Sequence, residues 1–472
     1  MLFNSLTFAV FFLVVLVVYW SLRSWEARKT FLMVASYVFY GSWNPPFAAL
    51  LFATTALDFY LGARMGAADE SKARRVWLVI SLVVNLSMLG FFKYGNFLLQ
   101  NFESLVGVFG FGYHAPHLDI ILPVGISFYT FHSLSYTLDV YSGLIKPTKS
   151  LRDFVLAVSF FPQLVAGPIV RAADFLPQCA KPPLWDRDRF LWGLWLMNLG
   201  IFEKVVLADA LLSGSANSVF GNAAPLCALD AWTGTIAFAG QIFFDFAGYS
   251  TCAIGAALCL GFQLKDNFRF PYAAVGFSDF WRRWHISLST FLRDFLYIPL
   301  GGNRTGVARA ALNLIIVMFL GGLWHGAAWT FVAWGILHGC YLVIERVLVG
   351  VFAGKIQASG RFAQVSLGLL TYLAVCVGWV FFRAKDFSTA LRLLHSMAGG
   401  SGGELILSTR EILQVGVVTV LTIIFHWRLK NKTIEETASG LPGWVLGAAW
   451  AFMGGAIIIT RGISNVFIYF QF

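Results

Sequence analysis

Charge is scarce in this chain. Asp, Glu, Lys and Arg make up 12% of its 472 residues, while 58% are hydrophobic, against roughly a quarter charged in soluble domains. Water is therefore not the main solvent of this protein. No Pro/Ser-rich linker, charged tail or internal repeat divides the chain, so it reads as one membrane domain over residues 1–472. The lack of a repeat argues against the two-fold architecture of many transporters. Six cysteines (Cys179, Cys227, Cys252, Cys259, Cys340 and Cys376) stand singly with no C-x-x-C pair. Zinc and redox chemistry lose their usual signature, and the thiols read as small packing groups. The stretch nearest to a phosphate loop, Gly301 to Gly306, continues into Val307 and Ala308 where Lys and Ser/Thr are needed. Neither H-E-x-x-H nor G-x-S-x-G occurs, and Asp186-Arg187-Asp188 reads as a solvated loop, so no metal is expected.

What the chain does have is hydrophobic length. Measured against about 20 apolar residues per crossing, candidates run over Leu2 to Trp20, Phe31 to Trp43, Phe47 to Leu61, Val76 to Phe92, Ile120 to Tyr141 and Phe190 to Leu212. They continue over Ala231 to Phe262, Leu312 to Val349 (long enough for a pair), Phe362 to Phe382, Ile412 to Trp427 and Trp444 to Thr460. The first has no basic residue before it and no cleavage pattern after it, which reads as a retained helix. Basic residues are held on the cytoplasmic side, and Arg23, Arg28 and Lys29, then Arg64, Lys72, Arg74 and Arg75, then Lys146, Lys149 and Arg152 follow alternate spans. Lys355 with Arg361, and Arg428 with Lys430 and Lys432, continue the pattern; Arg383 and Lys385 break it. Both termini are then extracytoplasmic. The net charge of +10 is explained by loops facing anionic membrane lipids, and nucleic acid is not needed as a partner.

Two stretches depart from the span-and-loop pattern. Between Lys146 and Arg189, a short apolar run from Phe154 to Ile169 is interrupted by Pro162 and ended by Gly167 and Pro168, which suits a re-entrant segment. Between Gln263 and Arg309, seven basic residues stand against three acidic ones. Within it, Trp281 to Leu296 plots as one amphipathic helix with Trp281, Trp284, Leu288, Phe291, Leu292 and Phe295 on one face and Arg282, Arg283, Ser287, Thr290 and Asp294 on the other. Such a helix lies along an interface or plugs a cavity mouth.

Ionisable side chains in apolar spans are costly and are functional candidates by default. His325 is the strongest, in Gly321-Gly322-Leu323-Trp324-His325-Gly326 near the turn of the Leu312 to Val349 pair, with glycines leaving room beside the imidazole. The competing reading is a histidine that hydrogen-bonds between packed helices, and His338, 13 residues on, reads that way. His285 falls on the apolar face of the amphipathic helix and points into protein, as an anchor or as a working group. Asp245, in Gln241 to Ser250, either pairs with an Arg to fix packing or takes part in chemistry.

Phe280 to Ser289 (F-W-R-R-W-H-I-S-L-S) and Leu323-Trp324-His325-Gly326 together resemble the membrane-bound O-acyltransferase family, in its bacterial alginate O-acetyltransferase branch, related to the teichoic-acid D-alanyl transfer proteins. Further matches are Pro123 to Tyr129, Ala166-Gly167-Pro168, Phe244 to Ser250, Leu292-Arg293-Asp294, Gly301-Gly302-Asn303-Arg304 and the closing Phe467 to Phe472. Thr251 departs from the pattern, standing where that branch usually has Asp. The resemblance implies an all-α polytopic membrane protein with about 11–12 transmembrane helices, plus re-entrant and amphipathic helices, around a central tunnel.

It also implies a catalytic role for His325, with His285 assisting at the tunnel mouth. Trp281, Arg282, Trp284, Arg293, Asp245, Asn303 and Trp324 are the side chains it offers for donor or substrate binding. An imidazole suits removal of a proton from a hydroxyl attacking an acyl carbonyl. Arg282, Arg283 and Arg293 would hold the phosphates of a coenzyme A or phosphopantetheine thioester, a co-substrate and not a bound cofactor, or else lipid headgroups. The function implied is acyl, chiefly acetyl, transfer from that donor in the bacterial inner membrane towards an extracytoplasmic polysaccharide such as alginate, with a periplasmic acetyltransferase as partner. The alternative is a transporter or flippase without acyl-transfer chemistry.

Overall fold

The structure is a computed structural model that describes residues 1–165, 167–304, 306–351, 360–460, 462, 467 and 468. Ala166, Lys355 and Tyr469 to Phe472 of the sequence motifs lie outside the described residues. All regular structure among those described is helical. Eight helices are long and apolar enough to cross a membrane: Pro45–Ala67, Ser71–Val108, Arg187–Gly221, Ala228–Cys259, Val307–His325, Trp329–Val351, Arg361–Arg383 and Thr409–Leu429. Leu6–Ser21 and Gly443–Ile459 are shorter apolar helices. The protein is thus an all-α, multi-pass membrane protein.

Its helices are turned inside out relative to a soluble bundle. On Thr409–Leu429 the large apolar side chains Leu413, Val417, Val420, Leu421, Ile424 and Phe425 are exposed. Asp58, Ser81, Asn85, Lys204, Asp209 and Asp245 are buried. Lipid solvates the apolar faces, and the polar groups hold helices together from within.

The chain packs as two compact units, one of residues 1–197 with 252–265 and the other of 198–251 with 266–472. In the first unit, Ile120 to Tyr141 is not a continuous helix. Helix starts only at Ile126, after Gly125 takes φ +74°; a Cβ there would meet the Leu164 carbonyl oxygen at 2.9 Å, so glycine is required. The Phe154 to Ile169 run forms two short buried helices, Leu151–Ser159 and Phe161–Leu164, parted at Phe160 just before Pro162. Neither can span a bilayer, as the re-entrant reading expected.

In the second unit, Val307–His325 and Trp329–Val351 form a hairpin with only residues 326–328 between them. A Cβ on Gly322 would lie 2.3 Å from the Phe331 carbonyl oxygen, and one on Gly335 2.3 Å from that of Met318. The two backbones therefore touch where the sequence placed its glycines.

The single amphipathic helix expected from Trp281 to Leu296 is instead broken at its middle. Phe277–Arg283 ends, Trp284 is extended, and His285 adopts φ 44°, ψ 54° before Ile286–Leu292 begins. A wider π-helical turn, Arg293–Tyr297, follows. Periodicity alone could not foresee a left-handed corner at a non-glycine residue, which costs on the order of 1 kcal/mol and needs outside support.

The break turns the segment into a re-entrant V. Its first arm descends the hairpin: Phe277 stacks on Tyr341 at 4.5 Å and Trp281 meets Trp334 at 5.8 Å, while His285 reaches Trp324 at 5.7 Å. Tyr341 to Trp334 alone is about 10 Å of helix. The second arm climbs back past Gly321, whose Cβ would sit 3.4 Å from Leu292, to Leu300 and Gly302, whose carbonyls accept from Asn313 Nδ2.

Candidate functional site

His285 at the tip of the V and His325 at the end of the hairpin helix meet, with ring centroids 6.4 Å apart. His325 is the last helical residue, and Gly326 follows with extended backbone. A Cβ on Gly326 would fall 2.1 Å from the Phe331 ring, so glycine lets the chain turn flat against that ring beside the imidazole. Trp324, Trp334 and Phe382 surround His325 with centroids at 4.9, 5.0 and 5.2 Å. His285 and His325 are 0% and 3% exposed, walled off by these packed rings.

His285 Nδ1 lies 3.1 Å from Asn267 Oδ1. Its Nε2 is buried and has no hydrogen-bond partner among the described residues.

The other expected residues divide into groups. Trp324 touches both histidine rings. Trp284 is wholly buried and packs on Trp379 and Phe268, as part of the wall. Trp281 packs edge-on against Trp334 and also lines a cavity of about 750 Å³, so it borders both the cavity and the aromatic surround of His325.

That cavity is basic. Arg269, Arg282, Arg283, Arg293, Lys430 and Lys432 line it against Asp279 and Glu436. Arg283 is held by Asp279 at 3.0 Å and the Lys430 carbonyl at 2.8 Å; Arg282 lies 3.8 Å from Asp279 and Arg293 2.7 Å from Asp294, and these two side chains stay 71% and 61% exposed. Burial and the nearby Arg283 charge hold Lys430 below its ordinary value.

Asp245 and Asn303 stand elsewhere. Asp245 pairs with Lys204, not with an Arg, and accepts from the Ile468 amide at 2.8 Å. Lys204 also bridges to Asp209 at 2.9 Å from the π-helical stretch Glu203–Leu212. Asn303 accepts from Tyr297 at 2.6 Å and Arg346 at 2.5 Å, which ties the second arm of the V to the hairpin. His338 is buried against Trp281, Trp334 and Tyr341.

Sequence reasoning missed Asn267, Lys204 and the pair Lys430 and Lys432 as site neighbours. Lys204 was visible as a lone lysine inside an apolar run. Nothing local marks Asn267. Among the described residues no three His, Cys, Asp or Glu side chains are grouped as metal ligands would be.

The sequence model of the membrane-bound O-acyltransferase family matches residues 150–382, a range that contains both histidines. A protein of Pseudomonas putida described as a probable alginate O-acetylase is 37% identical over 499 aligned positions, covering 100% of both chains. A peptidoglycan O-acetyltransferase of Helicobacter pylori is 33% identical, over 94% of this chain and 91% of its own. A teichoic acid D-alanyltransferase of Bacillus subtilis is 27% identical, over 58% of this chain and 72% of its own.

Proposed function

This chain belongs to the membrane-bound O-acyltransferase family, and from that premise we propose that it moves an acetyl group from a cytoplasmic thioester to a hydroxyl, in the service of O-acetylation of an extracytoplasmic polysaccharide such as alginate, with His325 as general base. The observation that carries this reading is the pairing of two buried histidines, 6.4 Å apart, inside an aromatic enclosure. A ring nitrogen of His325 takes the proton of the acceptor hydroxyl as its oxygen attacks the thioester carbonyl. The C–S bond then breaks, the proton passes from the imidazolium to the departing thiolate, and the products are an ester and a free thiol. General-base help of this kind is worth about 10²–10⁴ in rate.

The donor side is the basic cavity. Arg282 and Arg293, largely exposed beside the carboxylates of Asp279 and Asp294, suit the phosphates of coenzyme A or a phosphopantetheine carrier, and Trp281 lies between that cavity and the ring next to His325. In a bacterial inner membrane with both termini outside, the acceptor side faces the periplasm, where a second acetyltransferase completes delivery to the polymer. The acceptor class rests on the relatives described as alginate and peptidoglycan O-acetylating proteins.

The test is purified protein in liposomes supplied with labelled acetyl-CoA. Acyl transfer releases free thiol in step with acetyl ester formed on the acceptor side. Labelled donor crossing intact, with no thiol released, is the signature of a transporter and contradicts the proposal.

A further inference from the structure

Asn267 sits beneath the tip of the V and touches it four times. Its Oδ1 accepts from Ser287 Oγ at 2.8 Å and from the Ser287 amide at 3.3 Å, and lies 3.1 Å from His285 Nδ1. Its backbone carbonyl accepts from the Ile286 amide at 2.9 Å. On the other side, Asn267 Nδ2 donates to Ser250 Oγ at 3.2 Å. Asn267 and Ser250 are 1% and 2% exposed.

These contacts fix which way the amide points. A backbone N–H can only donate, so the atom facing the Ser287 amide is the oxygen, and the NH2 group faces Ser250. His285 Nδ1, facing the same oxygen, must then carry its proton. In a neutral imidazole one nitrogen donates and the other accepts, which leaves the lone pair on Nε2, the buried nitrogen that no described group satisfies. A buried acceptor without a partner forfeits its solvation with nothing in return, and such atoms in native sites call for an explanation.

We infer that Asn267 is a positioning residue: it holds His285 at the left-handed corner as the Nδ1–H tautomer, so that Nε2 accepts a hydrogen bond from a donor group of the substrate, an amide N–H of the pantetheine arm or the attacking hydroxyl. The inference rests on the reading of the histidine pair as the reaction centre. It gives the Gln241 to Ser250 motif a task through Ser250, which anchors the far side of Asn267.

A neutral amide, not a carboxylate, is what this task needs. The groups packed against His285 are Phe246 at 4.7 Å, Phe268 at 6.5 Å, Trp324 at 5.7 Å and His325 at 6.4 Å. Only His325 among them titrates; Asp245, next to Phe246 in sequence, is paired with Lys204. A carboxylate at position 267 would stabilise the imidazolium, convert Nε2 from acceptor to donor, and raise the pH at which the neutral ring returns.

Asn267→Asp is therefore the informative variant, because it keeps shape and accepting oxygens while changing charge. With thiol release from acetyl-CoA as readout, kcat at pH 7 should fall at least about tenfold and recover as pH rises, with the acid limb moved up by about 1–3 units. Asn267→Ser frees the tautomer without adding charge, so it should lower kcat/KM at every pH with the acid limb unmoved. Thermal unfolding in detergent checks that each variant is folded, and the Ser variant carries the test should the Asp variant not accumulate. Folded variants with wild-type kcat and pH profile overturn the role of Asn267. Should His325→Ala also keep wild-type activity, it is the reading of the reaction centre that fails; His325→Ala inactive with Asn267 variants unaffected sinks only the present inference.

Discussion

Two buried polar centres in this protein are built on opposite terms. In the first unit, Asp58 is fully buried, and both of its oxygens are occupied: Oδ1 accepts from Ser81 and Asn85, and Oδ2 from Asn85 and Ser133. Three helices, Pro45–Ala67, Ser71–Val108 and Ile126–Tyr141, are stitched through that one carboxylate. In the second unit, His285 is just as buried, yet its Nε2 is left open at a strained corner of the backbone. A saturated network gains nothing from a visitor and serves packing. Under the role proposed above, the open nitrogen of His285 serves a visitor.

The comparison can be broken by exchanging the consequences. His285→Ala should cost about 100-fold in kcat while folded yield from membranes stays near wild type; equal losses of both would make His285 another packing group. Asp58→Ala should do the reverse. It strands the donors of Ser81, Asn85 and Ser133, each unsatisfied group costing about 1–3 kcal/mol, so thermal stability and folded yield fall, while thiol release per folded molecule stays within about twofold.

Smaller effects sharpen the contrast. The double change Arg282→Gln and Arg293→Gln should raise KM for acetyl-CoA about tenfold with kcat nearly unchanged, since groups that bind donor and transition state alike act on KM. The effect should shrink in high salt as screening takes hold. His338→Phe keeps the volume of a ring that is packed among Trp281, Trp334 and Tyr341, and kcat should stay within about threefold of wild type; a larger loss would move His338 from the wall into the chemistry.

The pattern of apolar spans was legible because lipid imposes a length rule that few segments escape. The hairpin around His325 followed from its lack of charge, and its glycines mark the backbone contact that shapes it. What could not be read were features made by distant partners. Trp281 to Leu296 has helical periodicity throughout, but Asn267, far enough away to carry no local signal, supports a corner at His285 and turns the helix into a V. Asp245 looked in need of a cation, and the cation turned out to be Lys204 on a wide helical turn, which no spacing rule anticipates. Asn303, offered by its motif for substrate binding, is occupied with Tyr297 and Arg346. Motifs picked out the two histidines, whereas long-range hydrogen bonds set the positions of the residues around them.

The central claim is that the imidazole of His325 performs the proton transfer. The most direct measurement is ester-linked acetate on the cell-surface polymer in cells carrying His325→Ala, with the amount of inserted protein measured in the same membranes. The account predicts acetate at the background of a deletion strain with protein at the wild-type level. Wild-type acetate in that variant would contradict it.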